Sequence, residues 1–190
     1  MRRNKCGFTL IELMVAVAIM VLLAGLGIPT MVHQYAKSKR LKAISQIQRL
    51  EAALENYKAD MGAYPVELTE NEYFGSTTTD RNKRKAIIEA LSGFDKNKNK
   101  LSAYWNDTEW HGPYFEFKKS ELDTYGQMID PWRQAYLFDG TTSGRTMMNQ
   151  SSFDILSRGA DKEWDSSNYN SSKNDDNICN WLPNYVNDAD

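Results

Sequence analysis

Cysteine is almost missing from this 190-residue chain, and the two present, Cys6 and Cys179, lie near its opposite ends. No apolar stretch precedes Cys6, so it is not the anchor of a lipoprotein signal. If the short basic start were removed, Cys179 would stand alone, which excludes an intramolecular disulfide. It then reads as a small buried apolar residue, or as a partner for a cysteine of another chain in an oxidising compartment. Histidine is equally scarce: His33 and His111 are the two. Neither has a serine or cysteine nucleophile in a recognisable context, and the segment Trp110-His111-Gly112-Pro113-Tyr114 reads as structural or exposed. An enzyme is therefore not expected. Nor is there an excess of positive charge. The formal net charge is −2, and losing Arg2, Arg3 and Lys5 would take it to −5. That balance argues against nucleic acid as the main partner.

The absence that matters most is of charge along one stretch. From Phe8 to Ile28 run 21 residues in which Glu12 is the only charged one, and no Lys or Arg lies between Phe8 and Thr30. As a helix the run measures about 31 Å, enough to cross the hydrocarbon core of a bilayer. A secretory signal has a shorter apolar core and no acid inside it. A lone carboxylate at membrane depth is costly and needs a partner. Cleavage after Gly7 in Met1-Arg2-Arg3-Asn4-Lys5-Cys6-Gly7 would create one, because the new amine of Phe8 lies four residues before Glu12. It can pair within its own helix or in a neighbouring one. A single-span anchor in which Glu12 has no role is the plainer reading. The cations of the leader place the N-terminus in the cytoplasm and the rest across the membrane, against the pull of Lys37, Lys39, Arg40 and Lys42.

Basic leader, Gly7, Phe8, Thr9-Leu10-Ile11-Glu12, some twenty apolar residues and then Pro29: this resembles the processing site of type IV pilins and type II secretion pseudopilins. The resemblance implies that a prepilin peptidase cuts between Gly7 and Phe8 and methylates the Phe8 amine, and that Glu12 steers subunit docking.

Pro29 is expected to kink or locally unwind the helix. The pattern then resumes: Leu41, Ile44, Ile47, Leu50, Leu54, Tyr57 and Met61 form one apolar stripe, ended by Gly62 and Pro65. The stripe serves either as a face for the chain's own domain or as a coiled-coil seam of about three heptads. Gly75 to Asp80 reads as loop, and Ala86 to Leu91 as a short helix stopped by Ser92-Gly93. Asp95-Lys96-Asn97-Lys98-Asn99 has the alternating oxygens that start a calcium loop. Lys100 and Asn106 stand where such a loop needs Gly and Glu, so it reads as a solvated basic loop. Three strands are expected at Tyr114–Phe117, Ala135–Phe138 and Phe153–Leu156, with turns at Asp130-Pro131, Asp139-Gly140 and Ser143-Gly144. The fold class is α+β: a long N-terminal helix, membrane-spanning in its first half, packs by its second half on a small antiparallel sheet.

From Asp161 to Asp190 the chain carries seven acids against Lys162 and Lys173, with seven Asn among them. Composition alone leaves two readings: an oxygen-rich loop for a hard cation, or a solvated acidic tail. Gly112-Pro113-Tyr114, Asp130-Pro131-Trp132, Gly159-Ala160-Asp161 and Asn180-Trp181 occur in that order. This resembles the major pseudopilin of type II secretion systems, and the resemblance implies one calcium ion in the loop before Asn180-Trp181. The ligands it implies are the backbone carbonyl of Arg158 with Asp161, Asp175 and Asn177, and Asp165 or Asp176 as substitutes.

Six segments follow: a prepilin leader at 1–7, a transmembrane and assembly helix at 8–29, and an amphipathic second half at 30–62. A variable loop with a short helix spans 63–110, an antiparallel sheet 111–157, and an acidic calcium loop with its tail 158–190. The resemblance implies a pilin-like structural subunit that polymerises with itself into a periplasmic fibre. It starts in the bacterial inner membrane, single-pass, with a periplasmic head. Its partners would be the prepilin peptidase, minor pseudopilins and an inner-membrane assembly platform, and its work the export of folded proteins. The alternatives are a type IV pilin for adhesion, motility or DNA uptake, and a membrane-anchored binding module that does not polymerise.

Overall fold

A computed structural model describes residues 8–69, 78–140, 148–149, 152–165 and 171–181, without the side chains of 24–33. Gly7 and the rest of the leader lie outside the described residues, as do the expected turn at Ser143-Gly144 and residues 75–77 of the loop expected at Gly75–Asp80. The helix α1 is Leu10–Met61, helical through Pro29, so of the kink or unwinding expected there the unwinding is absent. Two compact units divide at Ser38, residues 1–38 and 39–190.

In the first unit Phe8, Leu10, Ile11, Leu13, Met14, Val15, Val17 and the apolar side chains on to Leu23 are exposed. Among the described residues no helix is long and apolar enough to cross a membrane. The apolar run of the sequence continues to Ile28, past Leu23.

In the second unit the stripe of α1 is core. Ala43, Ile44, Ile47, Leu50, Ala53, Leu54 and Tyr57 are buried, and Met61 packs against them. Leu41, expected in the stripe, is half exposed. The stripe meets Leu68 of α2 (Val66–Thr69) and Ile87, Ile88 and Leu91 of α3 (Thr78–Ser92) in one apolar cluster. The same cluster holds Phe115, Phe117, Tyr136, Phe138, Phe153, Ile155 and Ile178. So the stripe is used on the chain's own domain, and each such side chain contributes about 1.5–3 kcal/mol on burial.

Helix α3 begins at Thr78, eight residues before the expected Ala86, so Thr78, Thr79 and Asp80 are helical rather than loop. Its polar first half shows no apolar period. It is held by Asp80 in the first turn, where an acid suits the helix dipole, and by buried Arg84, whose Nε donates to Gln127 Oε1 at 2.7 Å. A single turn, α4 (Ser102–Trp105), follows.

The sheet is antiparallel, in the order β1 (Leu137–Gly140), β2 (Phe153–Ser157), β3 (Ile178–Cys179). Of the three strands expected, Phe153–Leu156 lies within β2, Ala135–Phe138 overlaps β1, and Tyr114–Phe117 is not in the sheet. Tyr114–Phe117 alternates in burial, with Phe115 and Phe117 buried and Glu116 exposed, yet it joins no ladder. Its backbone is spent elsewhere. The N–H groups of Tyr114 and Phe115 donate to Leu91 O, Arg49 donates to Glu116 O, and Lys98 donates to Phe117 O. The strand expected at Ala135 starts at Leu137, and Asp139-Gly140, expected as a turn, pairs with Asp154 and Phe153 as its end. The third strand is β3, too short and too near the acidic tail to show a pattern.

Three loops share one design. Asp95, Asp123 and Asp130 each accept on Oδ1 from the backbone N–H groups two and four residues on, at 2.8–2.9 Å. Each also donates its own N–H to the carbonyl four residues on. The fourth residue, Lys98, Gly126 or Arg133, has φ between 68° and 91°. Bridges close them at Phe94–Lys100, Leu122–Met128 and Ile129–Ala135. Asp-x-x-x-Asn or Asp-x-x-x-Gln thus makes tight turns where alternation alone suggests strands.

Candidate assembly and cation sites

At the N-terminus Thr9 and Glu12 form a capping box. Thr9 N and Thr9 Oγ1 donate to Glu12 Oε2 at 2.8 and 2.7 Å, and Glu12 N donates to Thr9 Oγ1 at 3.3 Å. The pattern Thr-x-x-Glu before an apolar run is the sequence signature of such a start. Glu12 and Phe8 are both exposed. Glu12 therefore has a local task in its own helix, in addition to any task in docking.

The second site is the segment 158–177. It is anchored by the sheet: Leu137, Leu156 and Cys179 form a small apolar cluster that Trp164 and Trp181 cover. Cys179 is buried there as part of that cluster. The turn Gly159-Ala160-Asp161 closes on Asp176, whose Oδ2 accepts from the N–H of Ala160 and, at 3.1 Å, of Asp161. Gly159 has φ +62°, and a Cβ there would stand 2.5 Å from both the carbonyl and Oδ2 of Asp176. The glycine of Gly-Ala-Asp is needed for that approach. Behind the turn, Gly159 N donates to Ser157 Oγ, which donates to buried Asp130 Oδ2 at 2.7 Å. Burial pushes the Asp130 carboxyl up, against the pull of these hydrogen bonds.

Asn177 is the centre of the arrangement, buried with 7 % exposure. One end of its amide lies 3.1 Å from the carbonyl oxygens of both Arg158 and Glu163. The other end lies 3.0 Å from Asn174 Oδ1 and 3.3 Å from Lys173 O. All four neighbours are acceptors, but an amide has one donor end. Either way round, its own oxygen is pressed against two others. Asn174 cannot relieve this by turning, because Asp165 N donates to its Oδ1 at 3.0 Å and its Nδ2 donates to Asp165 O at 3.1 Å. With Nδ2 on Asn174, the Asn177 oxygen faces Arg158 O and Glu163 O; turned round, its N–H groups donate to both carbonyls at 3.1 Å. Close by in the chain, Asp176 Oδ1 is buried without a hydrogen-bond partner. Converging oxygens without protons are what a hard cation satisfies.

Of the ligands expected from sequence, the carbonyl of Arg158 and the side chain of Asn177 come together. Asp161 is exposed and its Oδ1 accepts from Glu163 N at 2.8 Å. Asp165 enters through its backbone, Asp175 is exposed at the end of the 3-10 turn Ser172–Asn174, and Asp176 closes the Gly159 turn. Among the described residues no three His, Cys, Asp or Glu side chains stand together as a metal cluster. The Glu163 carbonyl was not foreseen, since a backbone oxygen leaves no mark in a sequence.

The Asp95 loop is satisfied from within: Oδ1 takes the N–H groups of Asn97 and Asn99, and Oδ2 takes Asn99 Nδ2 at 2.8 Å. The solvated-loop reading holds there. His111 is exposed.

An apolar N-terminal helix under a Thr-x-x-Glu cap, continuing into a stripe packed on a small antiparallel sheet, defines a pilin-like subunit. Residues 2–28 match the model of the prokaryotic N-terminal methylation motif, and residues 30–89 that of type II secretion system protein G. The type II secretion system core protein G of Pseudomonas aeruginosa is 32 % identical over 181 residues, 95 % of this chain and 97 % of that protein. That of Klebsiella michiganensis is 44 % identical over 65 residues, 34 % of this chain and 46 % of that protein. That of Vibrio cholerae is 41 % identical over 64 residues, 34 % and 44 %. The chain thus aligns with less than half the length of the latter two and nearly all of the first. No solved structure matches it. The chain belongs to the type II secretion system protein G family.

Proposed function

We propose that the chain is a structural subunit of a type II secretion pseudopilus and not an enzyme. The observation that carries this is the likeness to a core protein G along 95 % of the chain, together with the methylation motif at its start. In this reading the subunit waits in the inner membrane with a cytoplasmic N-terminus and a periplasmic head. Prepilin peptidase cuts between Gly7 and Phe8 and methylates the Phe8 amine. Glu12 then meets the Phe8 amine of an adjoining copy, which sets register and removes an unpaired carboxylate from lipid. Copies bundle their apolar helices into a periplasmic fibre that helps drive folded proteins through the outer membrane. Minor pseudopilins and an assembly platform complete the machinery.

Calcium in the 158–177 loop is part of the same proposal. What supports it is the pair of carbonyl oxygens, Arg158 O and Glu163 O, gathered on Asn177, and Asp176 Oδ1, buried without a partner. A bound ion would tie the turn after β2 to the segment before β3, locking the loop onto the sheet.

The test compares Glu12→Gln with Glu12→Ala in cells that carry the secretion machinery. Gln keeps the capping box and removes the charge. Both variants should reach the membrane, and neither should yield sedimentable fibres or secreted cargo. Assembly of Glu12→Gln at the parent level would sink the charge-pairing account.

A further inference from the structure

We infer that Asn177 is a latch that closes the segment 158–177 on the sheet without an ion, its amide N–H groups standing where a cation would stand. The inference is independent of the calcium reading above and holds whether or not an ion binds.

The buried amide of Asn177 has two ways round. With Nδ2 toward Asn174 it reaches Asn174 Oδ1 at 3.0 Å, an oxygen that Asp165 N already serves, and Lys173 O at 3.3 Å. Its own oxygen is then pressed on two main-chain carbonyls. Turned round, its N–H groups donate at 3.1 Å to Arg158 O and to Glu163 O. The oxygen now faces the turn Ser172–Asn174, whose Ser172 and Lys173 are exposed and leave it room to yield. The two carbonyls have less freedom. Arg158 directly follows β2, and Trp164, next to Glu163, packs on Leu137, Leu156 and Cys179. Leaving fixed acceptors unmatched costs more than an ordinary hydrogen bond returns, which favours the second orientation. In it one side chain joins the end of β2, the stretch before Trp164 and the start of β3. Its neighbours work to the same end. Asp176 Oδ2 accepts from Ala160 N and Asp161 N. Asn180 pairs with β2 as a short strand would: its Oδ1 accepts from Ile155 N at 2.8 Å and its Nδ2 donates to Phe153 O at 3.0 Å. Asp176, Asn177 and Asn180 thus fasten residues 176–180 to 153–163 with protein groups alone. A cation reaches the two carbonyls only as the amide turns back, so an ion adds to a loop that is already closed.

The experiment is hydrogen–deuterium exchange with mass spectrometry on the full chain in detergent, in excess chelator and in calcium, for the parent, Asn177→Asp and Asn177→Ala. Peptides covering 158–165 report on the loop, and those covering β2 report on the sheet. In chelator the parent loop should be protected, and calcium should slow its exchange by no more than about threefold. Both variants lose the two donors. Their loop should exchange about tenfold or more faster than the parent's in chelator, while β2 stays protected. Aspartate sets a charge against two carbonyls and should have the faster loop; alanine keeps the comparison readable if the aspartate variant does not fold. A parent loop that exchanges freely in chelator would overturn the inference, and so would variants whose loop is as protected as the parent's. A parent that gives no calcium heat by calorimetry yet keeps its loop protected in chelator would support the latch and remove the calcium reading.

Discussion

Two loops of this head are rich in Asp and Asn, and they end in opposite states. In Asp95–Asn99 every carboxylate oxygen faces a donor, and the donors come from the loop's own backbone and from Asn99. In 158–177 the carbonyls of Arg158 and Glu163 and the amide of Asn177 face one another. Composition is similar. What differs is where the N–H groups go: the first loop folds them inward, while the second spends them on the Gly159 turn and on Asn174. The two loops thus differ in how their polar groups are matched after local hydrogen bonding, and the proposed cation would belong to the second.

The sharpest way to break this contrast is Asn177→Leu. If the proposed site binds, calcium at 100 times its dissociation constant would stabilise the parent by about 2.7 kcal/mol, a rise of about 5–10 °C in midpoint for a chain this size. The variant should show no calcium-dependent rise in differential scanning fluorimetry. Gly159→Ala comes next. Its Cβ would collide with the Asp176 backbone at a positive φ, and such strain costs of order 1–3 kcal/mol. Urea unfolding should show that loss in chelator, with weaker calcium binding besides.

Asp95→Ala should leave calcium binding as it is and lower stability at neutral pH. Hydrogen bonds from Asn99, first through the backbone and then the side chain, hold the Asp95 carboxyl below its usual range. A depressed carboxyl stabilises above its unfolded value and loses that contribution as pH falls through the folded one. The unfolding midpoints of parent and variant should therefore converge in acid. Persistence of the full difference at low pH would refute the assignment. The smallest effect is expected for Lys173→Ala, which removes an exposed ion pair to Glu163. Both midpoint and calcium affinity should stay near the parent's, because such pairs are screened and mobile.

Much of the candidate assembly site was legible without coordinates. Glu12 inside a 21-residue apolar run signals itself, whereas its cap with Thr9 was not among the expectations, though Thr-x-x-Glu before an apolar run is the signal for one. The acids and asparagines marked the 158–177 loop as a region, and of the ligands expected there Arg158 O and Asn177 come together. Asp161, Asp165, Asp175 and Asp176 do other work or stand exposed, because a side chain near a loop is first claimed by the nearest N–H. The strand at Tyr114–Phe117 misled for a related reason. Alternation reports which side chains are buried, while a ladder needs a neighbour for the backbone, and there α3, Arg49 and Lys98 took that place.

What the sequence by itself determined is what one segment can express: an apolar helix with a single acid near its start, a stripe of period 3.6, turns at Gly and Asp. Each depends on neighbours within about four residues. What only the tertiary structure decided is which polar groups are left without partners when distant segments meet. The short strand β3, the turn on Asp176 and the crowded amide of Asn177 exist because residues 153–165 and 171–181 fold against one another. Hydrogen bonds are pairwise and saturable, so that remainder is a property of the assembled fold.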